Sequence, residues 1–187
     1  HGGEDPGAVS NYSGIAEKDI NLRIAQLLRE LLEEDDYRVI MTRQEDVLNY
    51  KPGTKNITEK RRQDLTGRRK LIDSSGADIV VSIHLNKFED PKYYGAQAFY
   101  PPGSAESERL AVCVQDALRE NVDPSNNRKA LVQQKRIVIL RDLVVPTTLV
   151  ECGFLSNSQE EALLRTVDYQ EKIAKALKKG IDDYFAE

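Results

Sequence analysis

Four residues in this chain have the chemistry of a hydrolytic metal centre, and they lie far apart in the sequence. Its 187 residues include two histidines, His1 and His84. His1 opens the glycine-rich "HGGEDPGAV", and His84 closes the apolar run of "VVSIHLN". Glu151 closes a second apolar run, "TTLVE", and Glu17 opens the amphipathic stretch "EKDINLRIA". Neutral imidazole is a common ligand for zinc, and carboxylates complete such sites. Two histidines and one carboxylate leave a position open for water, the pattern of a catalytic rather than a structural zinc. A second carboxylate, not bound to the metal, then takes the water's proton.

Each residue also has a plainer reading. An acid in a first helical turn, such as Glu17, suits the helix dipole without any metal. His84 also fits as a hydrogen-bonded core histidine. A carboxylate leaving a buried run, as Glu151 does, is costly unless paired or coordinated. Arg141 is its natural ion-pair partner. Residue type and spacing leave these alternatives open.

The elements that must position these residues alternate. Residues 1–14 read as a loop. Ile20, Ile24, Leu27, Leu28 and Leu31 recur at helical spacing and predict a helix over 17–34. "YRVIMT" predicts a strand at 37–42. A loop with Pro-Gly follows, then a helix over 59–76 with Gly76 as its stop. The near-continuous apolar run at 77–86 predicts a strand buried on both faces. Residues 95–102 read as an edge strand ended by prolines, and residues 104–121 as a helix. "RIVIL" and "TTLVECGFL" predict two further strands, at 136–140 and 147–155. Ser158 followed by Glu161 reads as a capping box, and a last helix runs from Asp168 toward Phe185. The expected fold is a single α/β domain with a mostly parallel or mixed central sheet and helices on both faces. Ligands of such sheets gather at the carboxyl ends of strands. His84 and Glu151 both sit at such ends and point toward one rim.

Composition narrows the function classes. A net charge of −4 gives no reason to expect nucleic acid. The basic clusters, such as "EKRRQDLTGRRK", interleave with acids and read as solvated helix faces. Two cysteines, Cys113 and Cys152, are too few for a disulfide framework and read as core thiols. No apolar run approaches the ~18 residues of a membrane span. No signal peptide is visible, but the chain does not begin with Met, so an exported protein that has lost its address is compatible with it.

The combination of motifs resembles the zinc-dependent N-acetylmuramoyl-L-alanine amidases of the cell-wall hydrolase family called amidase type 3. "HGGEDPGAV", "EKDINLRIA", "SIHLN" and "LVECGFLSN" stand in the family's order, and "GAQAFY" between them is similar too. The resemblance covers essentially the whole chain. It implies that His1, Glu17 and His84 hold one Zn²⁺ per chain and that Glu151 is the general base. The bond cut would join the lactyl group of N-acetylmuramic acid to the L-alanine of the stem peptide. The glycines beside His1 would allow close backbone approach to metal or glycan. Asn86, Asn157 and Arg141 are candidate substrate contacts; the two asparagines read equally well as strand-end turn residues. Family members carry a strand before the first histidine, so a first strand upstream of residue 1 is expected.

Within the family, "YYGAQAFYPPGSAESERLA" and "YQEKIAKALKKGIDDYF" look most like the amidases of spore-forming bacteria. That subgroup trims stem peptides in spore cortex. A deacetylase then helps convert the muramic acid to muramic-δ-lactam, which marks cortex for degradation at germination. The implied partners are the peptidoglycan stem peptide and glycan, a sporulation accessory protein and that downstream deacetylase. The implied location is extracytoplasmic, in the cell wall or developing spore envelope.

Three rival readings remain. An N-terminal histidine with a second histidine also suggests a copper brace, but such proteins are β-sandwiches. Cys152 with His84 suggests a cysteine hydrolase, yet strand alternation turns Cys152 away from the face that Glu151 occupies. A non-catalytic wall-binding module of the same fold is the third, and retention of all four residues speaks against it.

Overall fold

The computed structural model describes residues 1–134, 137 and 144–186. Among them, helix α1 spans Glu17–Glu33, α2 Ile57–Ser75, α3 Ala105–Asn121, α4 Ser158–Leu164 and α5 Val167–Ala186. Strands β1 (Val80–Asn86), β2 (Gln97–Tyr100), β3 (Leu131–Val132) and β4 (Thr147–Phe154) form one mixed sheet in the order β1-β4-β2-β3. β1 runs parallel to β4, β4 antiparallel to β2, and β2 parallel to β3. This is the expected α/β class with a mixed sheet.

The core lies on one face of the sheet. Ile20, Ile24 and Leu28 of α1, Leu110 and Val114 of α3, and Ile173 and Leu177 of α5 are buried together. They meet Leu85, Ala98, Val150 and Cys152 from the strands. Side chains alternate along a strand, so His84 and Glu151 fall on the opposite face. The apolar periodicity of α1, α3 and α5 therefore places the site: burying one face of the sheet leaves the other for polar chemistry.

Capping chemistry sets the helix boundaries. Asn56 starts α2 by accepting from the backbone N–H groups of Thr58 and Glu59. Gly76 ends it in the left-handed conformation, as the stop signal predicted. The expected capping box of α4 takes another form. Asn157 is the cap, accepting from Gln159 N and Glu160 N, while the Glu161 side chain turns away to Ser10 and Ser13.

Three strand expectations change. Residues 37–42 form no strand. A strand needs a neighbour to pair its backbone groups, and this segment is set apart from β1 by a groove of about 740 Å³. Val39, Met41, Leu65, Ile79, Val81 and Ile83 line that groove. For the same reason β1 is only half-buried at every residue except Leu85, not buried on both faces. Residues 97–100, read as an edge, lie inside the sheet, between β4 and β3. The expected strand at 136–140 falls, apart from Ile137, outside the described residues, as does Arg141. No helix among the described residues is long and apolar enough to cross a membrane.

Candidate metal and catalytic site

Register brings the first two candidate residues together. His84 of β1 and Glu151 of β4 are direct partners across the parallel pair; His84 stands near the carboxyl end of β1, whereas Glu151, expected at a strand end, lies within β4, which runs on to Phe154. The register shifts just beyond, between His84 and Asn86, which ends regular pairing at the rim. Glu17 arrives from another direction. It is the first residue of α1, it is buried, and its carboxylate turns back under the loop that begins at His1.

Glu17 is the hub. Its Oε1 lies 2.8 Å from His84 Nδ1 and accepts from Asn21 Nδ2 at 3.1 Å and Leu85 N at 3.3 Å. Its Oε2 accepts from Ala8 N at 2.8 Å and lies 3.5 Å from His1 Nε2. The two imidazoles stand edge to face, 5.6 Å between centroids. One ligand atom from each of His1, Glu17 and His84 lies within 4.8 Å of the other two. Burial by itself would raise the Glu17 carboxyl. The hydrogen bond to His84, the adjacent imidazoles and the Ala8 N–H overcome it and hold the group at about 2. Glu17 is thus kept anionic, the state a ligand needs.

Glu151 is driven the other way. Burial, and then the nearby Glu17 charge, push its carboxyl up to about 8. Its Oε2 is out of water with no hydrogen-bond partner. A buried oxygen left without a partner is costly and marks a place where a bound group completes the site. The donor set of two imidazoles and one carboxylate, beside an unpaired carboxyl oxygen, fits a zinc ion with an open position.

The loop that brings His1 in depends on Gly7. Its φ is +68°, and a Cβ there would lie 2.5 Å from Glu17 Oε2 and 2.8 Å from the His1 ring. Only glycine allows the chain to pass this close. The glycine next to His1 does a different job from the one expected: Gly2 packs against the backbone of Val47 rather than at the His1, Glu17 and His84 side chains. The loop is tied from behind by Glu161 on α4, which accepts from Ser10 Oγ at 2.9 Å and from Ser13 Oγ.

The other expected residues have these places. Asn157 caps α4, and its Nδ2 donates to Pro91 O at 2.9 Å. Asn86 ends β1, and its Oδ1 accepts from Lys87 N. Cys152 is fully buried in the core, facing away from Glu151. Its thiol is pushed far up, first by burial and then by surrounding carboxylates, so it is no thiolate nucleophile. Sequence reasoning passed over Asp5 and Ser82. Asp5 Oδ2 lies 2.9 Å from His1 Nδ1, and Ser82 Oγ lies 3.2 Å from His84 Nε2. A signal existed for each, an acid four residues after His1 and a hydroxyl two before His84, but turn and strand chemistry accounted for both.

Comparison with known proteins agrees with this geometry. Residues 1–183 match the family model described as N-acetylmuramoyl-L-alanine amidase. The chain is 40% identical over its full length to the germination-specific N-acetylmuramoyl-L-alanine amidase of Bacillus subtilis, covering 77% of that protein. Its fold matches the CwlD amidase of Clostridioides difficile, solved in complex with the GerS lipoprotein. The TM-score is 0.97, with 45% identity, across all of this chain and 94% of that one. An N-acetylmuramoyl-L-alanine amidase of Clostridium difficile 630 matches with a TM-score of 0.86 and 30% identity, over all of this chain and 93% of that one. With the motifs in order, their side chains converging and the match running nearly end to end, the chain belongs to the N-acetylmuramoyl-L-alanine amidase family.

Proposed function

We propose that this protein is a zinc-dependent peptidoglycan hydrolase that cuts the amide between N-acetylmuramic acid and the L-alanine of the stem peptide. The observation that carries this reading is the convergence of His1, Glu17 and His84, with Glu151 as the strand partner of His84. His1, Glu17 and His84 would hold one Zn²⁺. Zinc bound there supplies a Lewis acid for the scissile carbonyl and lowers the pKa of water toward ~7.

The remaining work falls to the protein. Glu17, fixed by four hydrogen-bonding neighbours, keeps its charge and orients His84. Glu151 takes the proton of the attacking water as the carbon–oxygen bond forms. It gives that proton to the alanine nitrogen as the carbon–nitrogen bond breaks. A carboxyl held beside the attacked carbonyl can both accept and return a proton.

The likeness to the germination-specific relative supports a role in spore cortex, and the subgroup resemblance of the sequence adds a place upstream of a deacetylase and muramic-δ-lactam formation. It also supports action outside the cytoplasm, on wall glycan and stem peptide. The relative solved with a lipoprotein supports an accessory protein partner for this chain too. We further propose that residues 1–187 are one catalytic domain whose groove between β1 and residues 37–42 seats one more strand, the first strand that the family resemblance implies.

The test is elemental analysis of purified protein together with hydrolysis of peptidoglycan fragments, with and without added zinc. About one zinc per chain and release of stem peptides bearing N-terminal alanine are expected. Absence of both after zinc supplementation would overturn the reading.

A further inference from the structure

The two histidines of the cluster present different ring nitrogens. His84 turns Nδ1 toward Glu17, with Nε2 against the Ser82 hydroxyl at 3.2 Å. His1 does the reverse: Nε2 faces Glu17 and Nδ1 lies 2.9 Å from Asp5 Oδ2. A histidine's free nitrogen is chosen by what holds the other one. The two holders are unequal, one a neutral hydroxyl and the other a buried carboxylate.

Asp5 is itself firmly placed. It is 6% exposed. Gly2 N donates to Asp5 O and Asp5 N to Gly2 O, both at 2.9 Å, folding the loop so that residue 5 lies back against residue 1. Its Oδ1 accepts from Arg61 of α2 at 2.7 Å and from Gly7 N at 3.3 Å. Both carboxylate oxygens are engaged, and one of their partners is an arginine from a helix 56 residues away in sequence. A loop turn alone needs none of this, since the Gly2–Asp5 backbone pair already closes it.

We propose that Asp5, braced by Arg61, is the positioning residue of His1: it fixes the imidazole so that Nε2, not Nδ1, is offered to the metal. This rests on the metal reading given above. His1 is carried by a loop and not by a helix or strand, and a loop side chain is poorly held unless something ties it down. The charge-assisted contact with Asp5 supplies that tie, and Arg61 transmits the position of α2 to it.

The measurement is the zinc dissociation constant, by competition with a chromophoric chelator, for wild type, Asp5→Ala, Asp5→Asn and Arg61→Ala. Melting of each metal-free protein is recorded alongside. Asp5→Ala should bind zinc roughly 10- to 100-fold more weakly. Asp5→Asn, whose amide oxygen still accepts from Nδ1–H, should recover part of that loss. Arg61→Ala should weaken binding by a smaller factor. If Asp5→Ala also lowers metal-free melting, Asp5→Asn decides: zinc binding tighter than in Asp5→Ala at wild-type melting supports the proposal, and binding no tighter than in Asp5→Ala overturns it. Wild-type affinity in a well-folded Asp5→Ala overturns it as well. A wild-type protein that binds no zinc instead removes the metal reading itself.

Discussion

Helices α3 and α5 are held by apolar contact, whereas α2 is held by charge. Leu110 and Val114 of α3 and Ile173 and Leu177 of α5 are completely withdrawn from water. In α2 the buried residues are Lys60 and Asp64. Its ties are polar: Lys60 to Glu4, Arg61 to Asp5, and Asp64 to the backbone N–H of Asn49. The site straddles this divide. Glu151 stands on β4, a strand locked into the core, while His1 is placed by a loop and the polar face of α2. Burial is non-directional and tolerant, so it suits the proposed general base, which needs only a fixed strand. A ligand atom needs an angle as well as a place, and hydrogen bonds supply angles.

The largest expected effect lies on the buried half. Glu151→Gln should lower hydrolysis of peptidoglycan fragments by about 10²- to 10⁴-fold, with zinc content kept. Product counting by mass spectrometry checks it, and undiminished turnover would take Glu151 out of the chemistry. Next comes the contrast in packing. Leu177→Ala should cost about 2–5 kcal/mol of stability in urea unfolding. Leu71→Ala, on the groove wall of α2 and 36% exposed, should cost less than about 1 kcal/mol. Similar losses at the two positions would erase the distinction drawn between the halves.

A third expectation uses adjacent acids of α4. Burial pushes Glu160 up to about 7, even though it accepts from Phe154 N and Gly95 N. Arg128 partly opposes that rise and Asp123 adds to it. Its folded pKa lies above the unfolded value, so the native state binds the extra proton. Stability is then greatest below about 4.5 for this group and falls as pH rises toward 7. Glu151 adds a slope of the same sign in the metal-free protein. Glu160→Gln should flatten the pH 4.5–7 decline of metal-free stability by on the order of 1–3 kcal/mol. An unchanged slope would show that Glu160 does not titrate in this window. The smallest effect concerns Cys152. Cys152→Ser should leave turnover within about twofold while costing roughly 1–3 kcal/mol for a hydroxyl placed in the core. An inactive but folded variant would restore a thiol mechanism.

Much of the buried half was readable in advance. The periodicities of α1, α3 and α5 and the apolar run of β4 each record a face turned to the core. The half held by charge was harder. "YRVIMT" has a strand's composition, yet residues 37–42 find no strand partner among the described residues. Composition reports what a segment suits, and pairing depends on what lies beside it. The cap of α4 moved by one residue because Asn157 competes with Ser158, and Glu161 is drawn to two serines about 150 residues away.

The sequence by itself determined the candidate donors and their order: two histidines, a glutamate opening a helix and a glutamate ending an apolar run inside a strand. Residue type dictates which atoms can bind a metal or carry a proton, and local periodicity dictates the element beneath each one. Only the tertiary structure decided that His1 turns Nε2 and His84 Nδ1 toward Glu17, and that Glu17 is held near 2 while Glu151 rises to about 8. Those properties come from burial and from neighbours distant along the chain, and no local pattern encodes them.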